Sequence, residues 1–296
     1  MPDILIIYLI SSFIILFVGV KVSYKINLVD IPSKRKIHLK PTAYTGGILI
    51  SLIYLFALKI FNLNIKELNM IISVSFLISI VGLVDDKYHL NAGGKLSLQI
   101  ICVLFLIAFE NLKLIHIGDY NYFKLELGTF SIPFTLLCVL YLINSFNYFD
   151  GIDGTLSFTF ISLLLILFFL IPDKNIRIYL IILLIPVVTF LLFNFSFSKL
   201  PKLFLGDSGS LLLGFIISFL LIFIGNKDII HPILLAWSIV IFVYEFLSIN
   251  IIRLKNKQYL FQPGKDHLHH ILYKKNKSIF LTNFKIFFLN ILLFLI

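Results

Sequence analysis

Gly206-Asp207-Ser208-Gly209-Ser210 runs directly into Leu211 to Ile224, fourteen positions without a charged side chain. A polar, glycine-rich head joined to an unbroken apolar run reads as a helix that starts at a membrane surface, since a bilayer-crossing helix needs about 20 mainly apolar residues. Working outward in both directions, the same character recurs. The runs are approximately Ile4 to Val20, Gly46 to Ile60, Leu68 to Val84, Leu96 to Phe109, Ile132 to Ile143, Leu156 to Ile171, Ile176 to Phe193, Ser210 to Ile224, Pro232 to Ile252 and Ile279 to Ile296. The short runs at Leu96 and Ile132 borrow flanking residues or tilt among neighbours. Composition agrees: 59% of the 296 residues are hydrophobic and 14% charged, with a mean hydropathy of +1.02, against about 45–50% apolar in soluble domains. No polar block interrupts the runs. The expected fold class is therefore an all-α polytopic membrane protein of about ten transmembrane helices, with residues 1–296 forming a single integral-membrane domain.

Loops of such a chain alternate between the two sides of the membrane. Odd loops carry Lys21, Lys25, Lys34, Arg35, Lys36, Lys40, Lys87, Lys95, Lys199, Lys202, Arg253, Lys255, Lys257, Lys265, Lys274, Lys275 and Lys277. Even loops carry only Lys59, Lys66, Lys113, Lys124, Lys174, Arg177 and Lys227. The positive-inside rule makes the odd loops cytoplasmic and places both chain ends outside for an even span count. The net charge of +10 thus belongs to topology, and no basic face interleaved with aromatics suggests a nucleic-acid partner. The first run lacks a basic leader and a small-residue cleavage signature, so it is expected to remain a span. Cys102 and Cys138 lie within apolar runs and imply neither a disulfide framework nor a cysteine metal site. Between the fourth and fifth runs, Leu114 to Leu127 alternates apolar and polar residues around Gly118-Asp119, which predicts a short extracytoplasmic β-hairpin.

Asp, Asn, Gly and His were not used in choosing sides, yet they concentrate in five stretches that all fall in odd loops. These are Asp30 to His38 continuing to Gly46-Gly47; Gly82 to Asp86 with Lys95 and Gln99; Asn144 to Gly154; Gly206 to Ser210; and Pro263 to His270. Asp85 and Asp86 end an apolar helix, either as solvated carboxylates or as a metal-linked or phosphate-linked pair. Asn144 and Asn147, three apart, share one helical face. Gly151 and Gly154 then leave Asp150 and Asp153 on a tight turn. Ser208 or Ser210 can cap the helix that follows, while the same helix start attracts phosphate and Asp207 offers Mg²⁺ a hard oxygen ligand. His267, His269 and His270 lack the i, i+4 spacing of a helical zinc site. They read instead as phosphate-binding or proton-handling groups beside Lys265.

Together the five stretches resemble the polyprenyl-phosphate N-acetylhexosamine-1-phosphate transferase family, the integral-membrane group that includes the MraY and WecA types. The resemblance runs from Asp30 to His270. It implies a ten- or eleven-helix enzyme of the bacterial inner membrane that binds a UDP-N-acetylhexosamine and Mg²⁺, with Mn²⁺ as an alternative ion, at its cytoplasmic face. Such an enzyme takes undecaprenyl phosphate from the bilayer, releases UMP, and commits a sugar to cell-envelope glycan synthesis; a homodimer is compatible with it. By motif, Asp85 and Asp86 match the paired aspartates, Asn147, Asp150 and Asp153 the Asn/Asp-Gly motif, Asp207 the metal-binding aspartate, and His267, His269 and His270 the histidine motif. The expected catalytic set is therefore Asp85, Asp86, Asp150, Asp153 and the three histidines, and the base is open among Asp85, Asp86 and Asp150. Arg35, Lys36, His38, Lys95, Asn144, Asn147 and Lys265 are expected to bind substrate, and Asp207 with Asn147 to hold the metal. Asp266-His-Leu-His-His270 is similar to the WecA type more than to the MraY type, which uses the muramyl-pentapeptide nucleotide. Two departures bear on sugar choice: Tyr44-Thr45 stands where relatives often carry Pro-Arg, and Glu245 where many carry Asp. A lipid-linked sugar transporter, the alternative class, predicts ionisable residues at mid-membrane depth and paired broken helices.

Overall fold

Every one of the ten apolar runs forms helix in the computed structural model, which describes residues 2–32, 40–61, 63–258, 264 and 267–295. In chain order the helices are α1 (Pro2–Lys25), α2 (Gly46–Phe61), α3 (Lys66–Tyr88), α4 (Ala92–Glu110), α5 (Ser131–Phe149), α6 (Thr155–Leu170), α7 (Lys174–Asn194), α8 (Gly206–Asn226), α9 (Pro232–Ser238), α10 (Val240–Lys255), α11 (Leu268–Asn276) and α12 (Ile279–Leu295). Among the described residues, α1, α3, α4, α5 with the turn before it, α7 and α8 are long and apolar enough to cross a membrane. A seventh span forms if α9 and α10, bent by 63° at their junction, count as one; α2, α6 and α12 are apolar but shorter. The ninth run is thus broken, and Glu245 lies inside α10, past the bend.

Among the described residues, two small antiparallel sheets accompany the helices: β1 (Val29–Asp30) with β2 (Thr42–Ala43), and β3 (His116–Asp119) with β4 (Lys124–Glu126). The second is a hairpin between α4 and α5. Its turn falls after Gly118-Asp119, which are strand residues: Tyr120 N–H donates to the Phe123 carbonyl at 3.0 Å, and Asn121 takes the left-handed conformation with φ +61°. Asparagine tolerates that region, so the chain reverses there.

The axis of the bundle is α8. Its membrane window is wholly buried, against 22% for α1 and 28% for α4, and it packs on α2, α3 and α5. Apolar side chains such as Ile6, Ile10 and Ile14 on α1 face outward, as a lipid-bathed surface allows. Inside, backbone groups must still be satisfied without water. Pro186 in α7 has no N–H, which frees the carbonyl four residues earlier. Tyr8 Oη donates to that carbonyl, Ile182 O, at 3.1 Å, and Tyr54 Oη donates to Leu183 O at 2.8 Å. Two tyrosines from α1 and α2 thereby pair with carbonyls in the turn before the proline and bind three helices together.

Positioning of the polar end depends on a backbone clasp. Gly46 N–H and Gly47 N–H donate to Phe204 O (3.0 Å) and Leu205 O (2.8 Å), and Phe204 N–H donates to Ala43 O at 2.8 Å. The starts of α2 and α8 are held side by side as in a sheet. Gly47 and Gly82 are what permit it: a Cβ on Gly47 would lie 1.9 Å from Gly209 N, and one on Gly82 would lie 2.4 Å from Ser208 N. Neither position accepts a side chain without parting the helices.

Candidate active site

The C-terminal end of α3, the first turn of α4, the C-terminal end of α5 and the first turn of α8 meet at one end of the bundle. Lys95, one turn into α4, is the hub: its Nζ lies 2.7 Å from Asp85 Oδ2 and 2.5 Å from Asp207 Oδ2. The other Asp207 oxygen accepts Asn147 Nδ2 at 2.9 Å, and the same amide reaches Ser210 Oγ at 2.9 Å. Asp85 Oδ1 accepts the Leu90 N–H at 2.9 Å. Asp207 nevertheless keeps 32% of its side chain exposed, so a small ion has access to it.

Asp86 has a different task. Its carboxylate accepts Asp207 N–H (Oδ1, 3.1 Å) and Ser208 N–H (Oδ2, 3.4 Å), the free amides at the start of α8. A helix start carries unpaired donors and a partial positive charge, and Asp86 from α3 supplies the anion. Neither Ser208 nor Ser210 is the N-cap, because α8 begins at Gly206 and no side chain of its own caps it. The anion expected at this helix start is in part the protein's own carboxylate.

Beyond α5, Asp150 to Gly154 make the turn into α6. The Asp150 carboxyl is pushed up to about 7, first by burial and then by the neighbouring Asp207 and Asp153 carboxylates. Asp153 is fixed from two directions: Lys202 Nζ lies 2.6 Å from its Oδ2, and Asn283 Nδ2 of α12 donates to its backbone carbonyl at 2.7 Å. Asn283 Oδ1 in turn accepts Thr155 Oγ1 at 2.8 Å. Interhelical pairs of this kind average about 0.6 kcal/mol in membranes, and their value here is placement of the turn.

A cavity of about 1060 Å³ opens between these elements, lined by Asp85, Asp86, Asp150, Asp153, Lys202 and Asp207 among others. His270 lines it as well, whereas His267 and His269 do not. His269 is fully buried and its Nε2 would lie 1.9 Å from a Cβ on Gly151, so it backs the cavity wall. Its imidazole is pushed down to about 2, first by burial and then by His270 and His267. It is therefore neutral.

Of the residues expected from sequence, Asp85, Asp86, Lys95, Asn147, Asp150, Asp153, Asp207 and His270 come together around this cavity. Asn144 turns instead to Gln99 Oε1 (3.0 Å) and to the Leu140 carbonyl of its own helix (2.7 Å). Arg35, Lys36, His38 and Lys265 lie outside the described residues. Sequence reasoning missed Lys202 as a site residue. It stands four positions ahead of Gly206, and a lysine so near the glycine-rich head was the available signal. In the sequence Glu245 is a departure from the family pattern and no more, because nothing in its helical surroundings shows what it meets.

Comparison with known proteins agrees in kind. Residues 68–225 match the model of glycosyl transferase family 4, a segment that contains Asp85, Asp86, Lys95, Asn147, Asp150, Asp153 and Asp207. The undecaprenyl-phosphate alpha-N-acetylglucosaminyl 1-phosphate transferase of Yersinia pestis is 30% identical over 88% of this chain and 73% of its own. The protein of the same name from Escherichia coli (strain K12) is 27% identical over 91% and 75%. A Bacillus subtilis (strain 168) protein, "Probable undecaprenyl-phosphate N-acetylglucosaminyl 1-phosphate transferase", is 31% identical over 90% and 75%.

Proposed function

Because the chain belongs to glycosyl transferase family 4, we propose that it transfers N-acetylglucosamine 1-phosphate from the UDP-sugar to undecaprenyl phosphate and releases UMP. The observation that carries this reading is the meeting of Asp85, Lys95, Asn147 and Asp207 at the first turn of α8, where Asp85 and Asp207 line a cavity of about 1060 Å³. The excess of Lys and Arg in the odd loops supports a cytoplasmic position for this end and ten spans crossing as one domain, with the β3–β4 hairpin outside.

Phosphoryl transfer between two anions is governed by positioning and charge neutralisation. Asp207, with Asn147 beside it, would hold Mg²⁺. The fit rests on the carboxylates of Asp85 and Asp207, which already clamp one cation, the Lys95 ammonium, with the hard oxygen donors this ion prefers. When bound, Mg²⁺ supplies neutralisation of the diphosphate and of the departing UMP. An oxygen of the lipid phosphate attacks the β-phosphorus that bears the sugar; the new P–O bond forms as the bond to the bridging oxygen breaks, and that oxygen leaves on UMP. Lys202 and His270, both on the cavity wall, pair with phosphate oxygens. Asp86 keeps the start of α8 in register. Arg35, Lys36, His38 and Lys265 remain assigned to the nucleotide sugar by the family resemblance.

Asp85 is the proposed base that keeps the acceptor phosphate fully ionised. An Asp85→Asn variant is expected to lose about 10²–10⁴-fold in turnover, the usual range for a general base, and to flatten the acid limb of the pH–rate profile. An unchanged profile moves the role to Asp150. The overall reading is tested by incubating purified protein with undecaprenyl phosphate, Mg²⁺ and a panel of UDP-sugars. UMP and a lipid-diphosphate-linked sugar should appear with UDP-N-acetylglucosamine; product from another nucleotide sugar alone, or from none, overturns it.

A further inference from the structure

Two of the three histidines are not on the cavity wall, and they meet a carboxylate that the transfer reaction does not use. Glu245 lies inside α10, beyond the 63° bend, with 9% of its side chain exposed. His267 immediately precedes α11 and His269 is in its first turn. Glu245 Oε1 accepts the Leu268 N–H at 2.8 Å and lies 3.4 Å from His267 Nδ1, an approach whose angle does not make a hydrogen bond. Neither ring nitrogen of the fully buried His269 has a partner among the described residues, and His267 Nδ1 has none either. Buried polar atoms are ordinarily paired. A neutral imidazole carries one N–H and one lone pair, so each ring can turn one nitrogen lone pair toward the buried carboxylate, and a cation placed between them would satisfy all three groups.

One donor atom from each of Glu245, His267 and His269 falls within 4.8 Å of the others. Bonds of about 2.0–2.2 Å to nitrogen and oxygen would draw the three together by about an ångström, within reach of imidazole rotation. Tyr148 and Phe149 stack edge-on against His267 and His269, so the pocket is walled by aromatic rings. We infer that Glu245, His267 and His269 form a second metal site, one that takes a borderline transition ion of the Zn²⁺ class and is distinct from the Asp207 centre. Two nitrogens and one oxygen suit Zn²⁺, whereas Mg²⁺ favours an oxygen shell that retains water. The i, i+2 spacing of the two histidines argued against zinc in the linear sequence; the third ligand arrives from another helix. The ion pins α11 to α10 and so holds His270 at the cavity. This site does not depend on the proposed transfer reaction.

The test uses the full-length chain in detergent, carrying no polyhistidine tag, stripped with chelator and titrated with ZnCl₂ in excess Mg²⁺, with bound zinc measured by mass spectrometry and affinity by a competing chromogenic chelator. One equivalent of zinc is expected in the wild type and in Asp207→Asn. Glu245→Gln and His269→Ala should each weaken binding by more than the 10–100-fold that loss of a mere supporting residue costs. Because His269→Ala opens a cavity, the near-isosteric Glu245→Gln serves as the variant least able to unfold the site. Absence of stoichiometric zinc in the wild type, or equal affinity in wild type and Glu245→Gln, overturns the assignment and leaves a plain carboxylate–imidazole cluster.

Discussion

Asp207→Asn is expected to fold normally and to lose about 10³-fold in turnover, since a catalytic metal contributes several kcal/mol of transition-state stabilisation and each 1.36 kcal/mol is tenfold in rate. The substitution is nearly isosteric. Asn147 Nδ2, which donates to Asp207 Oδ1 at 2.9 Å, keeps an amide oxygen to donate to, and Lys95 keeps Asp85 at 2.7 Å. What disappears is one negative charge at the point where α3, α4, α5 and α8 converge. Raising Mg²⁺ should recover part of the loss if the defect is in ion affinity and none of it if the defect is in the transition state. UMP release measured across a Mg²⁺ titration separates these, and wild-type turnover at every concentration would remove Asp207 from the metal role.

Removing the cation has the opposite electrostatic sign and a second large effect. In Lys95→Met, Asp85 and Asp207 lose the ammonium that holds them both, and they are left as neighbouring carboxylates. Breaking a buried ion pair by deleting one partner costs about 3–5 kcal/mol; with Asp207 about one-third exposed, solvent reduces this to roughly 2 kcal/mol. The variant should melt several degrees below the wild type without divalent ions. Mg²⁺ should then raise its Tm by more than it raises that of the wild type, because the added ion supplies the missing positive charge. Equal Mg²⁺-induced shifts in the two proteins would show that Lys95 and the ion do not share a place. Turnover falls in either case, so the thermal measurement carries the prediction.

Much of the helical frame was legible because apolar runs announce themselves by length. All ten runs became helices, although three fall short of the length that marks a span by itself. The meeting of Asp85, Asn147 and Asp207 was foreshadowed by charge sorting alone: loops assigned to one side by Lys and Arg also carried the Asp and Asn residues. Three things were hidden, each for a physical reason. Capping of α8 by Asp86 joins residues 121 apart in sequence, and capping rules look only at near neighbours. The break at the α9–α10 junction carries neither proline nor glycine at Ile239, so no local breaker marked it. The placement of Glu245 beside His267 depends on that bend, and hydrophobic periodicity contains no information about it. Asn144 shows the converse limit: a shared face with Asn147 was read correctly from the i, i+3 spacing, but one turn of helix was enough to hand its amide to Gln99.

The clasp between residues 43–47 and 203–205 has a consequence for biosynthesis. Its halves are separated by most of the polypeptide, yet Gly46, Gly47 and Phe204 join through main-chain groups. Until the ribosome has delivered α8, α2 and α3 stand in the bilayer with glycine-bearing surfaces and no neighbour to fill them. A nascent chain arrested before Gly206 therefore lacks these main-chain partners, and the polar end of the bundle is expected to assemble only after α8 has entered it.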